Sequence, residues 1–183
     1  MNCVIKTFTG KTVNPLDLLY HEIDIKDIAH ALSLCNRFAG HTIRPISVAQ
    51  HSVYVSRLCD GTGDELQALL HDASEAYLGD VTKWLKHTPE MEAFRHAEDS
   101  VQSAIFIRYG CKRLESPYVD IADRIMVRYE GVKGFPGSEF KIDHPDYPPL
   151  TKEEIEKVGK WGFWTHKVAE ESFLDRYCAL SNR

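Results

Sequence analysis

The sequence predicts an all-α helical bundle with a small β-hairpin at its N-terminus. Three observations carry that prediction. Apolar residues recur at helical spacing over most of the chain after Pro15, helix-capping residues open several of those runs, and the β-branched residues around a Thr-Gly turn cluster within positions 3–13. At 183 residues the chain is read as a single domain, large enough to bury a core without staples.

Taken in order, CVIKTFTGKTV at 3–13 suits a two-stranded hairpin, which is marginal by itself and must pack on something; residues 1–15 form this ribbon. Asp24 opens a helix whose Ile25, Ile28, Ala29, Leu32 and Cys35 share one face, with its end expected at Gly40. A second helix is expected from about Ser47 to Cys59 and a third from about Asp64 to Tyr77. Thr88-Pro89, a cap followed by proline at the first helical position, starts a fourth that should stop at Gly110. A fifth covers roughly Ser116 to Tyr129. The stretch 131–150 holds three Gly and four Pro, so it reads as a long loop of the kind that is often functional. Thr151 and Glu154 form a capping box for a C-terminal helical region over 151–183, which Gly159 and Gly162 interrupt.

Composition narrows the function classes. A net charge of −5 argues against a nucleic-acid polymer or an anionic membrane as partner. The five cysteines are scattered, without a C-x-x-C pair, which argues against a disulfide framework or a thiolate zinc site and for a reducing, cytoplasmic setting. The N-terminal residues contain no apolar run long enough for a signal peptide or a membrane span.

The third helix raises the chemical question. Advancing about 100° per residue, Leu66, Leu69, Leu70, Ala73 and Tyr77 make an apolar stripe, and His71, Asp72 and Glu75 share the opposite face. A solvated polar face would explain those three by themselves. His51, however, falls on the apolar arc of the second helix with Val48, Val55 and Leu58. A single histidine so placed is ordinarily a core residue with one hydrogen bond. Asp123 lies among Val119, Met126 and Val127, and unlike Asp120, which can pair with Arg124, it has no cation at helical spacing. A buried carboxylate must be protonated, salt-bridged or metal-bound. Two imidazoles and two carboxylates from three helices form a mixed N/O set suited to one divalent ion such as Co, Mn or Zn, with Mg also compatible.

A histidine, then a His-Asp pair, then a distant aspartate resembles the signature of the HD-domain phosphohydrolases: QHS at 50–52, LLHDASEAYLGD at 69–80 and IADRIM at 121–126. NRF at 36–38, with Glu75 and Asp80 in H-D-x-x-E-x-x-x-x-D, is similar to the 5′-deoxynucleotidase-like branch. The layout resembles most the small phage enzymes that hydrolyse dATP to deoxyadenosine and triphosphate. The similarity covers roughly residues 14–130.

The resemblance implies an HD-type bundle with His51, His71, Asp72 and Asp123 as metal ligands. It assigns Glu75 and Asp80 to proton transfer, Arg37 to the substrate phosphate and Phe38 to the deoxyribose. Lys83 and Lys86 follow Asp80 closely enough to reach a polyphosphate. The family also implies a homo-oligomer, and a second metal ion is compatible with it. Plainer alternatives stand beside these roles: Arg37 as a helix C-terminal cation, Phe38 as core, Lys83 and Lys86 as exposed charges, and His30 as a packed structural residue.

The reaction so implied is hydrolysis at the α-phosphorus, with Glu75 positioning or deprotonating water and Asp80 protonating the leaving 5′ oxygen. Arg37 and the lysines would neutralise phosphate charge. A 5′-deoxynucleotidase acting on monophosphates is the first alternative. A non-catalytic, metal-stabilised nucleotide-binding module is the second, although it leaves Glu75 and Asp80 without a task.

Overall fold

The computed structural model describes residues 4–114, 116–137 and 145–182. The ribbon forms as expected. Ile5–Lys6 (β1) pairs antiparallel with Thr12–Val13 (β2), Ile5 facing Val13 and Lys6 facing Thr12. Two strands need an anchor, and Asp27 supplies it. Buried, it accepts hydrogen bonds from the Thr9 amide at 2.6 Å and the Thr9 hydroxyl at 2.9 Å.

The rest of the described chain is helical, joined by turns and loops. Helix α1 spans Ile25–Leu34, and Asp24 caps it by accepting from the Lys26 amide. It ends well before the expected Gly40 because the chain turns to pair with a later segment. The Val48 amide donates to the Cys35 carbonyl and the Arg37 amide to the Ile46 carbonyl, both at 2.9 Å. That pairing fixes the backbone of Arg37. Phe38 and Ala39, the next two residues, hold φ of 56° and 50°, a region costly for side chains with a Cβ.

Helix α2, Val48–Leu58, is capped by Ser47 as expected. It is buried on nearly every side rather than along one stripe, because it packs on α1 and on four later helices. Some of its buried polar residues are satisfied from other elements. Gln50, for example, donates to the Gly162 carbonyl at 2.7 Å and accepts from the Trp164 amide at 3.1 Å.

The third expected helix is divided. Helix α3 covers Glu65–Leu70 and α4 covers Glu75–Leu78. Between them the hydrogen bonds tighten to an i→i+3 pattern: Ala73 to Leu70, Glu75 to Asp72 and Tyr77 to Ser74. The His-Asp pair thus sits on a turn, not on a continuous helical face. Gly79, at φ 83°, ends α4.

A short α5, Lys83–Lys86, follows; its four residues are too few to show a period. The expected start at Thr88 begins with a 3₁₀ turn over Pro89–Met91, and α6 runs Glu92–Tyr109 before the left-handed Gly110. Helix α7 is longer than expected, Pro117–Gly134, with Ser116 as its cap. It passes through Gly131 because its end packs too closely to need another stop. A Cβ on Gly134 would lie 2.7 Å from the Thr42 Cγ2, and the Gly134 carbonyl accepts from the Ile43 amide at 2.7 Å. The expected loop at 131–150 therefore begins four residues late, and its positions 138–144 lie outside the described residues. Helix α8, Lys152–Val158, carries the Thr151/Glu154 capping box, and α9, His166–Ser181, follows the break that begins at Gly159.

Two apolar clusters meet along α2. Ile28, Leu32, Val53, Leu69, Ile105 and Phe173 belong to one, drawing on α1, α2, α3, α6 and α9. Tyr54, Val55, Met126 and Val158 belong to the other, from α2, α7 and α8. His51, fully buried on α2, lies on the same helix as both. No helix among the described residues is long and apolar enough to cross a membrane.

Candidate metal centre

Three elements deliver the four expected donors to one place: His51 from the middle of α2, His71 and Asp72 from the turn between α3 and α4, and Asp123 from α7. One donor atom each from His51, His71 and Asp72 lies within 4.8 Å of the others. The His51 Nε2 is 3.1 Å from Asp123 Oδ1 and 3.7 Å from Asp72 Oδ2, and the His71 Nε2 is 3.3 Å from Asp72 Oδ2.

The protons can be assigned from the partners. His71 Nδ1 lies 2.8 Å from the Ala68 carbonyl, which can only accept, so Nδ1 carries the hydrogen and Nε2 turns a lone pair inward. His51 Nδ1 donates to the Glu130 carboxylate at 3.0 Å. With both Nδ1 atoms protonated, two imidazole lone pairs and two carboxylates face one another, all of them acceptors. Only a proton or a cation reconciles such a set. Burial and the Arg37 charge oppose protonation of His51, but Glu130 and Asp123 outweigh them and push its pKa up. A divalent ion would take the place of that proton, and the donor set fits one: imidazole nitrogens, anionic oxygens, and Glu130 orienting a ligand from behind.

Glu130 is a member of this cluster that sequence reasoning missed. It is fully buried at the expected helix end, and its second oxygen accepts from Arg37 Nε at 3.0 Å. Arg37 also reaches Asp72 at 3.3 Å and Asp123 at 3.9 Å. Asp123 consequently has a cation after all, supplied from the segment after α1, and it is partly exposed rather than fully buried. Burial raises the Asp123 carboxyl, yet the imidazoles of His51 and His71 hold it down to about 2. Asp72 is likewise held well below the usual carboxylate range, because His71, His51 and Arg37 outweigh its burial.

Glu75 and Asp80 behave in the opposite way. Burial, then the charges of Asp72 and Asp80, push Glu75 well above its ordinary value. Burial chiefly raises Asp80 as well. Glu75 Oε2 is buried with no hydrogen-bond partner among the described residues, and Glu75 helps to line a cavity of about 210 Å³.

That cavity brings together Arg37, Phe38, Asp72, Glu75, Asp80 and Asp123 with Lys83 and Lys86. Trp84 and Tyr147 also line it; the carbonyl of Tyr147 is held by Arg128 at 2.8 Å, so part of the late loop does reach the cavity. Phe38 meets Phe135 edge to face at 5.5 Å. Lys86 is not simply exposed: its ammonium is 2.6 Å from Glu98 and 3.8 Å from Glu75. Lys83 is exposed, its ammonium 5.9 Å from the Tyr147 ring centre. A second, more polar cavity of about 530 Å³ shares His71, Asp72 and Asp123 with the metal centre and Lys83 and Lys86 with the first cavity. Outside both cavities, His30 stacks on Phe8 at 3.8 Å and pairs with Glu170, the structural role expected of it.

No family model matches the chain. Over 126 residues it is 38% identical to the uncharacterized protein YfdR of Escherichia coli, covering 69% of each chain. It is 32% identical over 148 residues to an uncharacterized protein of Rhodobacter capsulatus, covering 73% of this chain and 75% of that one. At these identities, over more than two thirds of each chain, the protein belongs to the same family as YfdR.

Proposed function

We propose that the protein is a metal-dependent phosphohydrolase of the HD-domain class that acts on deoxynucleoside triphosphates, with dATP converted to deoxyadenosine and triphosphate. The observation that supports this most is the convergence of acceptor groups. His51, His71, Asp72 and Asp123 meet from three elements in an arrangement that calls for a cation, beside a cavity lined by two protonatable acids. The preference for dATP rests on the resemblance to the phage enzymes.

His51, His71, Asp72 and Asp123 would hold a divalent ion, which would supply a water of lowered pKa and polarise a phosphoryl oxygen. The chain's own residues do the rest. Glu75 orients the attacking water through Oε2, which has no partner among the described residues. The water oxygen bonds to the α-phosphorus and its surplus proton passes to the Glu75 carboxylate, as the bond to the 5′ oxygen breaks. Asp80, which holds its proton more firmly than a free aspartate, hands one to that leaving oxygen. Phe38 offers an apolar face to the sugar, and Lys83, at the shared edge of the two cavities, faces the phosphates.

One observation favours the monophosphate alternative. Two of the cations assigned to phosphate are already paired, Arg37 with Glu130 and Asp72, and Lys86 with Glu98. Fewer uncommitted charges suit a shorter phosphate chain. Incubating the purified protein with dATP and with dAMP, across Co, Mn, Zn and Mg, separates the readings. Triphosphate released from dATP supports the proposal, inorganic phosphate released from dAMP alone supports the alternative, and tight metal binding without turnover of either refutes both.

A further inference from the structure

The His71–Asp72 pair faces the metal centre because its helix is interrupted, and the interruption has an identifiable cause. In a regular α-helix the Ser74 amide would donate to the Leu70 carbonyl four residues back. Here those two groups bond instead to one side chain from α6. Gln102 Oε1 accepts from the Ser74 amide at 3.0 Å, and Gln102 Nε2 donates to the Leu70 carbonyl at 2.7 Å. The carboxamide stands between the two ends of a hydrogen bond that the helix would otherwise close on itself. A side chain inserted into the ladder in this way is a recognised cause of a helix break.

We infer that Gln102 is a positioning residue for the metal centre: its amide replaces the Leu70–Ser74 hydrogen bond and holds the turn that presents His71 and Asp72 to His51 and Asp123. Amide chemistry is required for both contacts. One end must accept and the other must donate, and among side chains of this length glutamine alone does both without a charge. The tightened bonds on either side of Asp72 follow from it, since Ala73 bonds to Leu70 and Glu75 to Asp72 at three-residue spacing. His71 then keeps its Nδ1 on the Ala68 carbonyl, which aims Nε2 into the centre. Gln102 also lines the polar cavity beside the metal centre, so the link between wedge and donors is short.

The inference rests on the metal-centre reading but not on the identity of the substrate, and two measurements keep the two apart. The first uses NMR on metal-free protein, comparing wild type with Gln102→Met, which keeps length and loses both polar ends. The backbone shifts of residues 70–75 should move toward regular α-helix values while those of α2 stay in place. The second titrates Co(II) into both proteins, following its visible absorption. Gln102→Met should bind Co(II) about 10–100-fold more weakly, as for other outer-shell groups that orient ligands. Gln102→Glu, which accepts from Ser74 but cannot donate to Leu70 when ionised, should fall between the two and serves if the methionine variant does not fold. Unchanged shifts over 70–75 in a folded variant overturn the inference, as does an unchanged Co(II) affinity. If wild type itself takes up no Co(II), the metal-centre reading falls and the NMR comparison alone decides the role of Gln102.

Discussion

Removing Glu130 tests the centre from behind without touching a metal donor. Its carboxylate is fully buried and accepts two hydrogen bonds at 3.0 Å, from His51 Nδ1 and from Arg37 Nε. Glu130→Ala leaves a guanidinium and an imidazole N–H facing an empty space, and stranding one partner of a buried charge pair costs about 3–5 kcal/mol. For a chain of this size, each kcal/mol lowers Tm by about 2–4 °C, so the metal-free variant should melt about 6–20 °C below wild type. Glu130→Gln keeps the shape, but its carboxamide can accept only one of the two donors with its oxygen. The loss should be smaller, about 1.5–3 kcal/mol for the one charged hydrogen bond. In both variants His51 loses its fixed orientation, so metal affinity should drop about 10–100-fold. Thermal melts of metal-free protein and calorimetric metal titrations read the two effects separately. A Glu130→Ala protein that melts with wild type and binds metal equally well would refute the role assigned to Glu130, and with it the assignment of the His51 proton.

The donors and acids make separable predictions. Asp123→Ala should lose both bound metal and hydrolysis, whereas Glu75→Ala should retain the metal and lose about 10²–10⁴ in rate, as measured by metal analysis and turnover side by side. Glu75 also affects stability: its folded pKa is raised, so its contribution is intact below the ordinary glutamate value of 4.5 and is lost as pH rises toward the folded value. Glu75→Gln should therefore match wild type in acid and melt progressively higher than wild type above that value, in metal-free samples. Metal uptake at about pH 6 should release protons, because His51 carries one more readily than a free imidazole, and the release should shrink as pH rises through its raised pKa. Calorimetry in buffers of different ionisation enthalpy measures that count.

The features legible in the sequence are those encoded locally. Asp24, Ser47, Ser116 and the Thr151/Glu154 box cap helices where the spacing placed them, because a cap is a contact between residues two or three apart. His51 and Asp123 could be singled out because each breaks an apolar pattern that its own helix makes visible. What escaped notice depends on residues far apart in the chain. Arg37 reaches Glu130 across 93 positions, and no periodicity records that distance. Gly131 reads as a stop because glycine weakens a helix by about 1 kcal/mol, but contacts made by Glu130 and Gly134 outweigh so small a preference. The continuous helix expected over 64–77 fails for the same reason, since Gln102 lies 28 and 32 positions from the two groups it separates.

These nonlocal contacts share a consequence for the chemistry. Three of the four donors of the centre are held by a group that is not itself a donor: His51 by Glu130, His71 by the Ala68 carbonyl, and Asp72 by Arg37 as well as by the turn that Gln102 keeps open. The same supports set the local charge. His71, His51 and Arg37 keep Asp72 ionised and the two imidazoles keep Asp123 so, whereas Glu75 and Asp80 stay buried near those negative charges and are driven toward protonation. One cluster thus sorts its acids into two kinds: anions that can hold a cation, and proton carriers beside the cavity. Neutralising Arg37 should disturb both kinds at once. Arg37→Met is therefore expected to raise the pH needed for metal binding and to destabilise the fold, because Glu130 would be left buried with His51 as its one remaining partner among the described residues.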